Sequence, residues 1–308
     1  MPVGDTDLVT VSSTDFFSPI SLDPYIQGRI AAANTLSDLY AAGCVEVSHM
    51  LMILACSTRM ELASRRIVTE QMVSGFRDLC AEAGVVVTGG QSILNPWPIL
   101  GGVAIATVPR SSLVAANKLV PGDVLVLTKP LGTQVAANLA LWMLDDAKWT
   151  EASKHIDALP AARAVQAAEL SMASLNRDAA KLMRAFGAHG ATDVTGFGIL
   201  GHARNLAGAQ EQAVDVVLDT APIIEGLLAL DRTVFGDFRL RKGLSAETSG
   251  GLLVAFEDMR TANAFLEKYR GCPDNPRGWG WTVGGVVPGS RQAYWTNGVD
   301  DAPAVLEV

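Results

Sequence analysis

The stretch Thr192 to His202, TDVTGFGILGH, restricts the fold more than any other part of this sequence. A carboxylate, two hydroxyls and three glycines stand where a strand hands over to a helix. Asp, Ser and Thr ahead of an apolar run cap helix N-termini, and glycine lets the backbone approach a neighbour or a ligand closely. The orphan N–H groups of such a terminus suit an anion or a metal-bound phosphate. The same residues also serve an ordinary capped helix packed tightly against its neighbour. Either way the chain needs a strand followed at once by a helix, and the rest of the sequence repeats that alternation.

The chain has 308 residues, enough for two domains that each bury a core. Its formal net charge of -8 and pI near 5.0 argue against coating nucleic acid or an anionic membrane, which takes clustered Lys and Arg. The mean hydropathy is +0.25, yet no apolar run reaches the roughly 18 residues of a membrane span. The apolar excess is therefore expected in buried parallel strands, Ala-rich helices and a subunit interface. Cys44, Cys56, Cys80 and Cys272 form no CxxC pair and no zinc-spaced cluster, so the chain reads as reduced and cytoplasmic. The start MPVGDTDL has neither the basic nor the apolar region of a secretory signal.

Leu8 to Ser13 alternates as a strand that runs into Asp15, and Asp23-Pro24 starts a helix reaching about Ala42. Asn34 and Asp38 lie one turn apart on that helix, among small residues. A strand within Val45–Cys56, an amphipathic helix over Arg59–Ala83, a short strand Val85–Thr88 and a strand Gly101–Val108 follow. Gly89, Gly90, Gln91 and Ser92 then fall at a strand end, as a phosphate nest or a tight turn. The turn-rich Pro109–Asp123 marks a domain boundary, giving domains 1–110 and 111–308.

In the second half, Val124–Thr128 is a strand ending in Lys129, which faces either a phosphate or solvent. One long helix is expected over most of Ala161–Phe186, a helix at Ile223–Leu230, and His202 on a polar face. His189 reads as a surface or packed histidine. The polar corner Glu247–Gly251 leads into strand Leu252–Phe256, and a last strand and coil follow Arg291. There is no Walker A motif and no GxGxxG after a first strand.

Asp15, Asp38 and Asp193 share one context: element ends rich in small residues with no Lys or Arg nearby in sequence. If they converge they need protonation or a divalent cation, because unit charges about 4 Å apart repel by about 4 kcal/mol at a dielectric of 20. Oxygen ligands without His or Cys select Mg²⁺, the usual companion of a nucleotide phosphate.

Six segments taken together resemble one family. They are SSTDFFSPI (Ser12–Ile20), DPYIQGRIAAANTLSDLYAAG (Asp23–Gly43), GGQS (Gly89–Ser92), LTKPLGTQV (Leu127–Val135), TDVTGFGILGH and ETSGGLL (Glu247–Leu253). In this order, over nearly the whole chain, they resemble selenophosphate synthetase, also called selenide, water dikinase. The resemblance implies an α+β, two-domain ATP-binding fold like that of aminoimidazole-ribonucleotide synthetase, whose N-terminal domains pair into an intersubunit β-barrel. It implies a homodimer that converts ATP, selenide and water into selenophosphate, AMP and phosphate for selenoprotein-synthesis enzymes downstream. Mg²⁺ is the implied cofactor, with K⁺ a further candidate cation; nucleic acid and membrane are not implied partners. By the same resemblance Asp15, Asp38, Gly90, Gln91 and Ser92 contact ATP, and Asp38 and Asp193 hold Mg²⁺. The family's nucleophilic Cys or selenocysteine, a catalytic Lys and a further metal-binding Asp precede the strand that here begins near Leu8. The chain shows none of these and is expected to be N-terminally truncated, folding and dimerising without making selenophosphate. The alternatives are a sister ATPase of the same fold and a non-catalytic dimeric scaffold paralogue.

Overall fold

Residues 1–296 and 303–308 are described by a computed structural model, and the chain divides into two units. The first comprises Met1–Leu113 with Met172–Lys181, the second Val114–Ser171 with Leu182–Val308.

In the first unit, β1 (Leu8–Phe17), α1 (Pro24–Ala41), β2 (His49–Ser57), α2 (Leu62–Glu82), β3 (Val87–Asn95) and β4 (Ile99–Pro109) form a four-stranded sheet under two helices, in strand order β1-β4-β2-β3. Asp23 caps α1 by accepting from the amides of Tyr25 and Ile26, and Pro24 opens the helix with its φ already set. The helix is buried on several sides, which its Ala-rich sequence allows. α1 and α2 cross where two glycines meet: a Cβ on Gly28 would overlap the Met72 carbonyl, and one on Gly75 the Tyr25 carbonyl. Only glycine at both positions lets the two backbones touch.

The sequence ends the third strand at Thr88, but β3 runs on to Asn95 as an edge strand paired in parallel with β2. Gly89 to Ser92 are therefore neither a nest nor a turn. A register shift at Met50/Leu51 brings Gly90, at φ +145°, against the Met52 backbone, where a side chain has no room.

The later elements are β5 (Val124–Leu127), α3 (Thr133–Trp142), α4 (Asp146–Ala152), α5 (Ala158–Ala173), α6 (Arg177–Ala185), β6 (Gly190–Asp193), α7 (Gly198–Gly208), β7 (Val214–Leu218), β8 (Thr220–Ile223), the short pair β9 (Arg232–Thr233) and β10 (Gly236–Asp237), β11 (Leu252–Phe256), α8 (Met259–Arg270), β12 (Trp281–Pro288), β13 (Ala293–Trp295) and β14 (Ala304–Glu307). A six-stranded sheet, β13-β7-β12-β5-β11-β6, forms the centre of the second unit. All five residues of β11 are buried, as are Leu125, Val126 and Leu127 of β5.

The buried strands are mostly antiparallel, against the expectation of parallel ones. Among the described pairs only β2–β3, β7–β13 and β8–β14 are parallel. Apolar runs report burial on both faces and do not report direction. The long helix of Ala161–Phe186 is two helices, broken before Arg177, where the Asn176 carbonyl starts α6 by accepting from Ala180. Ile223–Leu230 is not an α-helix: β8 ends there, Gly226 turns at φ +81°, and a single 3-10 turn covers Leu227–Leu230. In the tail after Arg291, read as strand and coil, β13 and β14 are strands, and residues 297–302 lie outside the described residues.

Candidate functional site

Two groups of charged side chains carry the candidate chemistry, one in each unit. In the first unit, alternation along β1 turns Ser13 and Asp15 toward the helices, in register with Ala104 and Gly102 of β4. Glycine at 102 leaves room there for the Phe76 ring. α1 brings Asp38 to the same place. The Ser13 hydroxyl lies 2.6 Å from Asp38 Oδ2 and 3.1 Å from Asp15 Oδ2, so its one proton serves two carboxylates. Burial, and then the Asp38 charge, raise the Asp15 pKa above the ordinary carboxylate value, against the lowering effect of the Ser13 bond. Ser13 carries no site signal of its own in the sequence; its place two residues before Asp15 on a strand puts both side chains on one face.

Gly90, Gln91 and Ser92 lie at the other edge of the same sheet. The register runs Asp15–Gly102–Met52–Gly90 as one row across it. Three strand spacings separate the ends of that row by about 14 Å. Within this unit Asp15 and Asp38 come together, and the GGQS segment does not join them.

The carboxylate pair suits Mg²⁺. It offers hard oxygens, a mutual repulsion that a cation relieves, and no nitrogen or sulphur competitor. Among the described residues no group of three or more His, Cys, Asp or Glu side chains forms a cage. Mg²⁺ is ordinarily held by one or two carboxylates and completes its shell with phosphate and water.

In the second unit Asp193 closes β6, 6% exposed, opposite Leu252 of β11. Across β11, Lys129 extends from the end of β5 and is 1% exposed. Its Nζ donates to the Ser249 carbonyl at 2.8 Å, so the side chain turns inward rather than to solvent. Burial pulls the Lys129 pKa down to about 7, opposed by the nearby charges of Asp274 and Asp193. Glu247 is buried as well. It accepts from the amides of Gly132 and Thr133 and from the Thr133 hydroxyl, capping α3 from a distant part of the chain. Burial nevertheless raises its pKa to about 7.

The handover after Asp193 differs from the sequence expectation. α7 begins at Gly198 and no side chain caps it; Phe197 occupies the cap position. Gly198 takes φ +68° because its Cα lies against the backbone of Gly243 to Ser245. His202 is buried rather than on a polar face, with Nε2 3.1 Å from the Thr195 hydroxyl and its ring 5.4 Å from that of Phe197. His189 packs onto Asp123, Nδ1 to Oδ1 2.9 Å. Cys44 and Cys80 are buried, and burial raises the Cys80 thiol to about 12, so Cys80 is not activated for attack.

Both units match known families. Residues 3–108 match the N-terminal domain of AIR synthase related proteins and residues 120–276 the C-terminal domain. Selenide, water dikinase 2 of Mus musculus is 45% identical over 308 residues, which are 100% of this chain and 67% of the mouse protein. Selenide, water dikinase of Dictyostelium discoideum is 43% identical over 305 residues, 98% of this chain and 83% of that protein. The solved structure of the hydrogenase maturation protein HypE in complex with ATP superposes with a TM-score of 0.71 at 17% identity, over 97% of this chain and 86% of that one, which establishes a common fold. A two-domain α+β architecture, both domain models in order and over 40% identity along nearly the whole chain lead to one assignment: the chain belongs to the selenide, water dikinase (selenophosphate synthetase) family of AIR synthase related proteins.

Proposed function

We propose that this chain carries the nucleotide- and metal-binding core for ATP-dependent synthesis of selenophosphate, in which ATP, selenide and water give selenophosphate, AMP and phosphate. The observation that carries this reading is the Asp15–Ser13–Asp38 cluster, two carboxylates sharing one hydroxyl, in a chain whose relatives are named for that reaction. Asp38 and Asp193 hold Mg²⁺, and Asp15, Gly90, Gln91 and Ser92 contact ATP. Bound Mg²⁺ supplies neutralisation of phosphate charge. Asp15 and Asp38 orient the nucleotide's phosphate end, and the Ser13 hydroxyl keeps both carboxylates in place. No residue of this chain is assigned the nucleophilic role. Residues 1–110 serve nucleotide binding and dimerisation, and residues 111–308 form the C-terminal α/β domain.

The functional unit in this proposal is a homodimer closed by the first-unit sheet. The face of that sheet away from α1 and α2 carries Phe16 and Ile93, 58% and 54% exposed, and β3 presents an open edge. A second copy covers both, as a barrel of the two sheets would. Sedimentation of the double variant Phe16→Glu/Ile93→Glu should give a monomer; an unchanged dimer rejects this face.

Calorimetry tests the nucleotide site. Mg²⁺-dependent ATP binding is expected for the chain and lost in Asp38→Ala, whereas equal affinities remove Asp38 from the site. Phosphorus NMR then separates this reading from the alternatives. A ³¹P signal for selenophosphate that appears only with selenide supports the dikinase. ATP turnover driven by a ribonucleotide or thiamine phosphate supports a sister ATPase, and no turnover in any longer form supports a scaffold.

A further inference from the structure

We propose that the second unit carries a binding groove of its own, in which Arg204, Arg239 and Phe197 receive a nucleoside monophosphate. Two adjoining cavities of about 360 and 410 Å³ share Gly196, Arg239 and Leu244. Each falls within the size of ordinary small-molecule pockets, about 300–1,000 Å³. Arg204 on α7 and Arg239 on the loop after β10 line the first cavity together with Phe197 and Asn205. Neither guanidinium forms an ion pair with a described residue.

The backbone of Arg239 is held in place, with its side chain exposed. It has φ +58°, a conformation uncommon outside glycine, and three contacts over-determine it. Its amide donates to Asp237 Oδ1 at 3.0 Å, and its carbonyl accepts from Lys242 and Leu244, each at 3.1 Å. The turn it opens is locked to the start of α7, where the Leu200 amide donates to the Gly243 carbonyl at 2.9 Å. The Asp231 carboxylate is occupied by the amides of Leu240 and Arg241. Two unpaired guanidinium groups on a fixed backbone, facing one concavity, recognise a tetrahedral oxyanion through forked donors.

The other lining groups define what the oxyanion is attached to. Phe197 is 65% exposed while His202, itself anchored to Thr195, supports its ring, so an aromatic face is available for stacking. In the second cavity Asp237 and the amide of Gln134 stand beside Arg239. A carboxylate there repels a second phosphate and accepts from hydroxyls. One phosphate, a hydroxylated linker and a planar ring describe a nucleoside monophosphate. The groove is lined wholly by residues of the second unit; the proposed reaction enters only in the choice of AMP as probe.

Hydrogen exchange of the full chain, with AMP and EDTA, tests the assignment. AMP should protect peptides covering residues 196–205 and 235–245. Arg204→Gln and Arg239→Gln should each weaken AMP about tenfold, the loss of a charge-assisted contact. Arg239→Gly, which relaxes the backbone while deleting the guanidinium, should do the same with an unchanged melting temperature. Phe197→Ala should weaken AMP and leave the affinity for inorganic phosphate unchanged. All four variants should keep Mg²⁺-dependent ATP binding, so that failure here is distinct from failure of the carboxylate site. No protection of these peptides, protection confined to residues 13–38, or equal protection by adenosine would overturn the proposal.

Discussion

Replacing Asp38 by Asn should move folding stability and ligand binding in opposite directions. Asp38 Oδ2 and Asp15 Oδ2 are each within hydrogen-bond reach of the same Ser13 hydroxyl, so they lie no more than about 5.7 Å apart. Unit charges at that distance repel by about 3 kcal/mol at an effective dielectric of 20 and by about 0.7 kcal/mol in water. Asp38 is exposed and Asp15 partly so, which places the repulsion near the lower figure, about 1 kcal/mol. An asparagine oxygen still accepts from Ser13 but carries no charge. In EDTA at neutral pH and low salt, Asp38→Asn should therefore stabilise the chain by about 0.5–1 kcal/mol, an advantage that shrinks at high salt. With Mg²⁺ and ATP at a hundredfold their dissociation constant, the wild type gains about 2.7 kcal/mol and the variant much less, so the order of melting temperatures reverses. Scanning calorimetry in the two buffers reads both effects. A variant that is less stable in EDTA would show that Asp38 serves folding, and equal stabilisation by Mg²⁺-ATP would show that it does not serve the ligand.

Two further outcomes follow from the buried groups. The Glu247 pKa rises on folding from 4.5 to about 7, so between those values the native state holds a proton that the unfolded state has released, and stability falls as pH rises. Thermal unfolding from pH 4.5 to 7 should show this decline in the wild type, of order 3 kcal/mol, and a flatter profile in Glu247→Gln; parallel profiles would refute it. Gly75→Ala places a methyl against the Tyr25 carbonyl, where no side chain can yield, and should cost about 1–3 kcal/mol in urea unfolding. A loss below about 0.5 kcal/mol would mean the helices do not cross this closely.

Much of this architecture is legible in the sequence because local chemistry decides it. Asp23-Pro24 start α1 as their side chains dictate, and the periodicity of Val68, Met72, Phe76 and Leu79 identifies α2. What was not legible depends on partners distant in the chain. Gly89-Gly90 reads as a turn until the close approach of Met52 shows why a strand needs glycine there. Lys129 reads as a strand-end cation, because nothing local announces the Ser249 carbonyl 120 residues away. The meeting of Asp15 with Asp38 is anticipated only as a condition on the three aspartates, and Ser13, which joins them, carries no signal of its own beyond strand alternation. Strand direction is illegible for the same reason: an apolar run says that neighbours exist on both faces and says nothing of which way they run.

The return of residues 172–181 to the first unit governs the order in which the protein can be made. Asn176 donates to the buried Ser37 hydroxyl, and Arg177 to the Glu82 carbonyl. A ribosome that has released residue 113 has delivered a sheet and two helices whose last partners are still some sixty codons away. The first unit therefore cannot complete its packing as a nascent domain; it must wait, with part of α1 uncovered, while the Val114–Ser171 part of the second unit is synthesised. Any gene fragment cut at the apparent boundary inherits the same gap permanently.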